Sequence, residues 1–238
     1  MNAMFKKGVL ASVLAVAASS AIAGTSLDLQ VSGKVVPSSC TPSVVGGSGN
    51  ADFGTVKATE LNYNTVTSLP GTKVVSISIT CETPTRFGVT FNDAHADSAP
   101  TEYLSTAFSD LEFLLSPAST AGLGMFNGKK IGAYAMGIQR DKGTATDDTG
   151  ASLHPVYSKD ATATTDWHAK NGLHYLQVVT DKSETYGFAN DTVNDRPAVL
   201  KQVNFNIGIV AQINPASELD ISDELTLDGL TNIELVYL

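Results

Sequence analysis

Four histidines, His95, His154, His168 and His174, are the first residues in this chain to test for chemistry. No two stand at i and i+4, and none joins the cysteines at a spacing that would close a zinc site. The densest local group is Asp166, Trp167 and His168, followed by His174. It pairs a carboxylate with an imidazole, yet a surface loop leading into a strand accounts for the same residues. The GGSGN stretch at 46–50 lacks the second glycine of a Gly-x-Ser-x-Gly nucleophile turn, because Asn50 stands there. Asp141, Asp147 and Asp148 lie in DKGTATDDTG, which has neither the spacing nor the closing glutamate of a calcium loop. Solvated loop charge accounts for them. The reading is of a protein that is not an enzyme, with no catalytic residue, metal ligand or cofactor. Trp167 is the only tryptophan and sits in the polar stretch TTDWHAKNG. Exposed, it would stack on a sugar; buried, it would lid the core. Trp167 and His168 therefore stand as a candidate loop for a host or surface glycan.

The two cysteines, Cys40 and Cys81, offer redox chemistry instead, and their compartment decides which. Residues 1–23 carry Lys6 and Lys7, an apolar run from Val9 to Ala18, and the small residues Ala21 and Ala23. That order is expected of a secretory signal peptide cut before Gly24. The run is about half of the roughly 20 residues a membrane-spanning helix needs. In an oxidising compartment one Cys40–Cys81 disulfide is the default, against the alternative of two buried free thiols. Lys+Arg 15 against Asp+Glu 24 gives a net charge of −9, and losing Lys6 and Lys7 makes the exported product more acidic still. Nucleic acid is not an expected partner.

Alternation at period two dominates the elements that must position these residues. Leu27, Leu29 and Val31 share one face of an extended segment, as do Val75, Ile77, Ile79 and Cys81. Phe87, Val89 and Phe91 form another such set, and Ile131 to Gln139 an apolar run. Val203 to Ile213 is the longest alternation, and a short run at Leu225 to Leu227 precedes Ile233, Leu235 and Tyr237. Turn-forming clusters, among them GGSGN and NGKK at 127–130, separate the runs, and no long amphipathic helix interrupts them. With 42% hydrophobic residues and no second compositional regime, the expectation is one antiparallel β-sandwich over residues 33–238.

GKVVPSSC at 33–40, DFGTV at 52–56, the strand ending at Cys81 and the penultimate tyrosine together resemble the chaperone-usher pilins. The family's places are held here by Gly33, Val35, Cys40, Phe53, Gly54, Cys81 and Tyr237. The likeness covers 33–81 and 231–238, and the middle of the chain is longer than in an ordinary pilin. It implies an immunoglobulin-like sandwich that stops one strand short and exposes a groove along its last strand. It further implies a structural fimbrial subunit of the cell surface, assembled by donor-strand complementation. The implied partners are a periplasmic chaperone, an outer-membrane usher and other fimbrial subunits. Residues 24–32 are then the candidate donor extension, with Leu27, Leu29 and Val31 as its anchors. Ile233, Leu235 and Tyr237 would border the groove and meet the chaperone. Read from pattern alone, residues 27–36 could instead be the covered first strand of a complete sandwich. The rival function is a self-contained exported module that binds a carbohydrate or protein through its middle loops.

Overall fold

The computed structural model describes residues 32, 39–47, 49–102, 104, 115–169, 174–190, 196–219, 221 and 224–238. The signal-peptide segment, the donor anchors Leu27, Leu29 and Val31, and Gly33 and Val35 lie outside the described residues. The strands are β1 (Cys40–Val45), β2 (Thr67–Ser68), β3 (Lys73–Asp93), β4 (Thr120–Gly122), β5 (Met125–Phe126) and β6 (Lys129–Lys130). They continue as β7 (Gly132–Gln139), β8 (Ala145–Asp147), β9 (His154–Ser158), β10 (Tyr175–Gln177), β11 (Thr185–Ala189), β12 (Val199–Ile213) and β13 (Thr231–Tyr237). Among the described residues one short α-helix, α1 (Ala216–Leu219), precedes the last strand, and two 3-10 turns lie at Ala58–Glu60 and Pro117–Ser119. The fold is all-β and its strand pairs are antiparallel, as the alternation requires.

β12 shows how the pattern becomes a layer. Val203, Phe205, Ile207, Ala211 and Ile213 are buried, whereas Asn204 and Asn206 between them turn outward and are half-buried. Those outward amides join a polar ladder. Ser76 donates to Asn206 at 2.8 Å, Asn206 to Gln139 at 3.1 Å and Gln202 to Ser78 at 3.1 Å. This layer has the order β1, β3, β12, β7, β10. The facing layer holds β13, the second half of β3, β11 and β9. Both inner faces feed one core, in which the rings of Phe188 and Phe205 approach to 4.7 Å between β11 and β12.

The two alternating runs at 73–81 and 87–91 are a single strand. β3 pairs with β1 and β12 through its first half, then with β13 through 87–93. The switch falls at Thr83-Pro84-Thr85, where the register against β12 slips between Leu200↔Thr85 and Gln202↔Thr80. Pro84 has no N–H to offer a ladder, so a bulge there bends the strand without ending it. The Asn127-Gly128 pair of NGKK closes the β5–β6 hairpin with both residues at positive φ, 48° and 74°. The run at Leu225 to Leu227 forms no strand; Leu225 and Leu227 lie partly buried against the core.

Cys40 and Cys81 are bonded and face each other in register across β1 and β3. Their loop spans 41 residues, so the bond ties the first described strand to the centre of the sheet.

Candidate functional site

β13 and β1 flank the same side of β3 in succession, β13 against 87–93 and β1 against 76–81. Among the described residues, β3 is the only strand paired with either of them. Alternation then aims Ile233 and Leu235 inward, where both lie half-buried against the core, and leaves Glu234 outside. Tyr237, on the same face, is 50% exposed, and its hydroxyl accepts the Cys40 N–H at 3.0 Å. The last strand is thus fastened to the start of the first, beside the disulfide.

Between the layers on this side lies a cavity of about 880 Å³. Its floor is aliphatic: Val75 and Ile77 from β3, Met136 from β7, and Ile207 and Ile209 from β12. One wall is the loop at 49–61, with Phe53, Val56 and Leu61; the other is Ile221 and residues 224–231, with Leu225, Leu227 and Leu230, continuing to Ile233. Gly54 allows the first wall to turn, having φ +72° and donating its N–H to Asp52 at 2.7 Å. Phe53 packs on the core beneath Lys73, whose ammonium lies 5.5 Å from the ring centroid. Val44 of β1 and Leu230 line the opening and are substantially exposed.

Tyr134 brings a hydroxyl to a lining that also carries Asn50, Asp52, Glu224 and Thr226. Its hydroxyl hydrogen-bonds Thr231 at 2.6 Å. Burial, opposed by the Thr231 bond and helped by Asp93, pushes its pKa up to about 12. The cavity therefore presents an aliphatic floor, suited to an apolar side-chain row, with polar groups on its walls, the carboxylates Asp52 and Glu224 among them.

The glycan-loop reading of Trp167 fails on burial. Trp167 is 1% exposed, clustered with Val156, Ala189 and Leu238, and its indole N–H donates to the Ala163 carbonyl at 2.9 Å. No face of the ring is left for a sugar, so Trp167 serves as a lid on the core. His168 is half-exposed and hydrogen-bonds Asp166 at 2.5 Å. His174 likewise meets Asp141 at 2.7 Å, and His95 meets the Asp228 carbonyl at 2.5 Å. These three pairs use different carboxylate or carbonyl partners, at Asp166, Asp141 and Asp228. Among the described residues, no group of three His, Cys, Asp or Glu side chains could hold a metal. Asp147 caps its own turn, accepting from Thr149 and Ala151, and these bonds hold its carboxyl below the usual carboxylate range. The cavity's floor residues, Met136 and Ile209 among them, were legible only as core positions of their strands. Nothing in their spacing distinguishes a lining residue from a packed one.

Residues 29–135 match a family described as protein of unknown function, DUF1120. The chain is also similar to the uncharacterized protein YhcF of Escherichia coli, with 26% identity covering 93% of this chain and 94% of that protein. Against Protein GltF of Escherichia coli the identity is 31% over 254 aligned residues, covering 98% of this chain and 99% of GltF. A match of that extent, end to end across both walls of the cavity and the cysteine pair, makes this chain a member of the family of Protein GltF.

Proposed function

We propose that this protein is an exported, non-catalytic fimbrial subunit that assembles by accepting a strand from a neighbour and donating one of its own. The observation that carries the reading is the open apolar cavity bordered by β1 and β13, two strands whose outer edges pair with no other described strand. An uncovered edge beside apolar core is costly in water and prone to aggregation, which favours a borrowed strand. In this reading residues 24–32 supply that strand to the next copy, with Leu27, Leu29 and Val31 entering the cavity. Each such side chain contributes on the order of 1.5–3 kcal/mol when buried, and main-chain pairing adds to it. A periplasmic chaperone holds the cavity before assembly, an outer-membrane usher exports the polymer, and growth is head to tail.

The test expresses the precursor with and without a cognate chaperone, and with residues 24–32 deleted after the signal segment. Polymer from the intact chain and none from the deletion is the expected result. Unaltered assembly after deletion overturns strand donation. A stable monomer made without any chaperone supports instead a self-contained binding module, whose ligand would occupy a cavity already of small-molecule size.

A further inference from the structure

We infer that the depression beside Tyr63 is a binding site for a pyranose ring of a glycan, stacked on that tyrosine. Among the described residues Tyr63 is the aromatic side chain most open to solvent, at 70%. It lines a depression of about 1000 Å³ whose polar rim is Lys129, Asn214, Ser217 and Glu218. This hollow shares Ala58 and Ile221 with the apolar cavity, whereas Tyr63, Lys129 and Glu218 line it alone. The inference therefore does not rest on strand exchange.

Three segments converge here and are hydrogen-bonded to one another. Ala216 and Ser217 of α1 donate their N–H groups to the carbonyls of Asn62 and Tyr63, each at 3.0 Å. Asn214 donates its side-chain amide to the Lys130 carbonyl and its backbone N–H to the Ile131 carbonyl, both at 2.9 Å, which ties β6 to the same place. Asn62 closes its own turn, donating its N–H to Thr67 Oγ1 at 2.8 Å and its side-chain amide to the Val66 carbonyl at 3.0 Å. The backbone of Tyr63 is thus fixed while its ring stays in water, so little ordering remains to oppose binding. Lys130 is engaged, donating Nζ to the Ala99 carbonyl at 2.5 Å. Among the described residues the side chains of Tyr63, Lys129, Ser217 and Glu218 make no hydrogen bond or ion pair, although Lys129 and Glu218 carry opposite charges on one rim. An ammonium donates, a carboxylate accepts and a hydroxyl does both, which is the complement that sugar hydroxyls require. The partly positive C–H face of a pyranose meets the negative face of the phenol ring. A purely apolar ligand would use the ring and leave the charges unmet.

A printed array of oligosaccharides ending in galactose, glucose, mannose, N-acetylglucosamine, glucuronic acid or sialic acid, probed with the labelled full chain, tests the site. The wild type is expected to bind at least one terminal sugar saturably. Tyr63→Ala lowers that binding roughly tenfold or more, and Tyr63→Phe, which keeps the stacking face, holds it within about threefold. Both variants keep the wild-type thermal midpoint, because position 63 is exposed. Lys129→Gln separates two kinds of sugar: loss of binding to a glucuronic or sialic terminus assigns the site to carboxylated sugars, and retained binding to a hexose assigns it to neutral ones. Polymer formation is unchanged in all three variants, so this result and that of the strand-deletion experiment are read separately. No bound sugar in the wild type, or unaltered binding in Tyr63→Ala, overturns the site.

Discussion

Trp167 and Tyr134 show how burial assigns roles that residue type leaves open. Both are aromatic side chains with a polar handle, and both handles are satisfied inside the protein, by Ala163 and by Thr231. Truncating Trp167 to alanine removes a fully buried ring from the Val156 and Ala189 cluster. It is expected to cost about 3–5 kcal/mol in chemical denaturation, and a loss under 1 kcal/mol would place the ring outside the core. Tyr134 carries a pH signature. Its folded pKa, pushed up to about 12, lies above the value of about 10 that it has in an unfolded chain. The neutral hydroxyl therefore stabilises the fold in full below pH 10, and that contribution is lost as pH rises from 10 through 12. Tyr186 adds to the same alkaline limb, because burial and its hydrogen bond to Glu184 hold it well above the ordinary range. Unfolding free energy measured from pH 9 to 12 is expected to fall less steeply in Tyr134→Phe than in the wild type. Identical slopes would mean that Tyr134 ionises as freely in the folded protein as in the unfolded one.

Strand alternation made much of the element scale legible, because a half-buried sheet imposes period two on its residues. The burial of Val203 through Ile213 and of Ile77, Ile79 and Cys81 follows directly from it. The continuity of β3 does not, since Thr83-Pro84-Thr85 has the composition of a turn and only the bulge against Leu200 and Gln202 reveals an unbroken strand. The cavity was illegible for a related reason: its walls at 49–61 and 224–231 carry little regular structure, so no period marks their apolar residues as facing one another. Close approach of elements leaves a clearer trace, in glycine. Gly132 opens β7 directly against Ile213 of β12, and a Cβ there would fall on the Gln212 carbonyl oxygen. Backbone cannot yield as a flexible side chain does. Gly132→Ala is expected to pry β7 from the end of β12 and destabilise by about 1–3 kcal/mol, read as a lowered thermal midpoint. An unchanged midpoint would show that the two strands can separate at this end without loss.

At the scale of the whole molecule, an intact core and an open cavity must coexist, and the disulfide explains how they can. Cys40 and Cys81 fix β1 to β3, and Tyr237 fixes the end of β13 to Cys40, so the two edge strands hold position without a strand between them. Core burial on β3 and β12 then stabilises the sandwich, while Val44 and Leu230 stay available at the opening. These two tasks use different residues, which allows them to be separated by mutation. Val44 is 41% exposed on β1, lines the cavity and contributes little to the core. Val44→Asp leaves disulfide formation and the thermal midpoint close to wild type, because an exposed charge is easily solvated. An incoming apolar row would have to bury that charge beside it, or forgo a contact of about 1.5–3 kcal/mol, which corresponds to a loss of roughly 10- to 150-fold in affinity. On the proposed strand-exchange reading, assembly assayed by size-exclusion chromatography, with the disulfide verified by thiol titration, should therefore fall at least tenfold in Val44→Asp. Full assembly in a folded, oxidised Val44→Asp protein would mean that subunits associate through some other surface and that the cavity receives no strand.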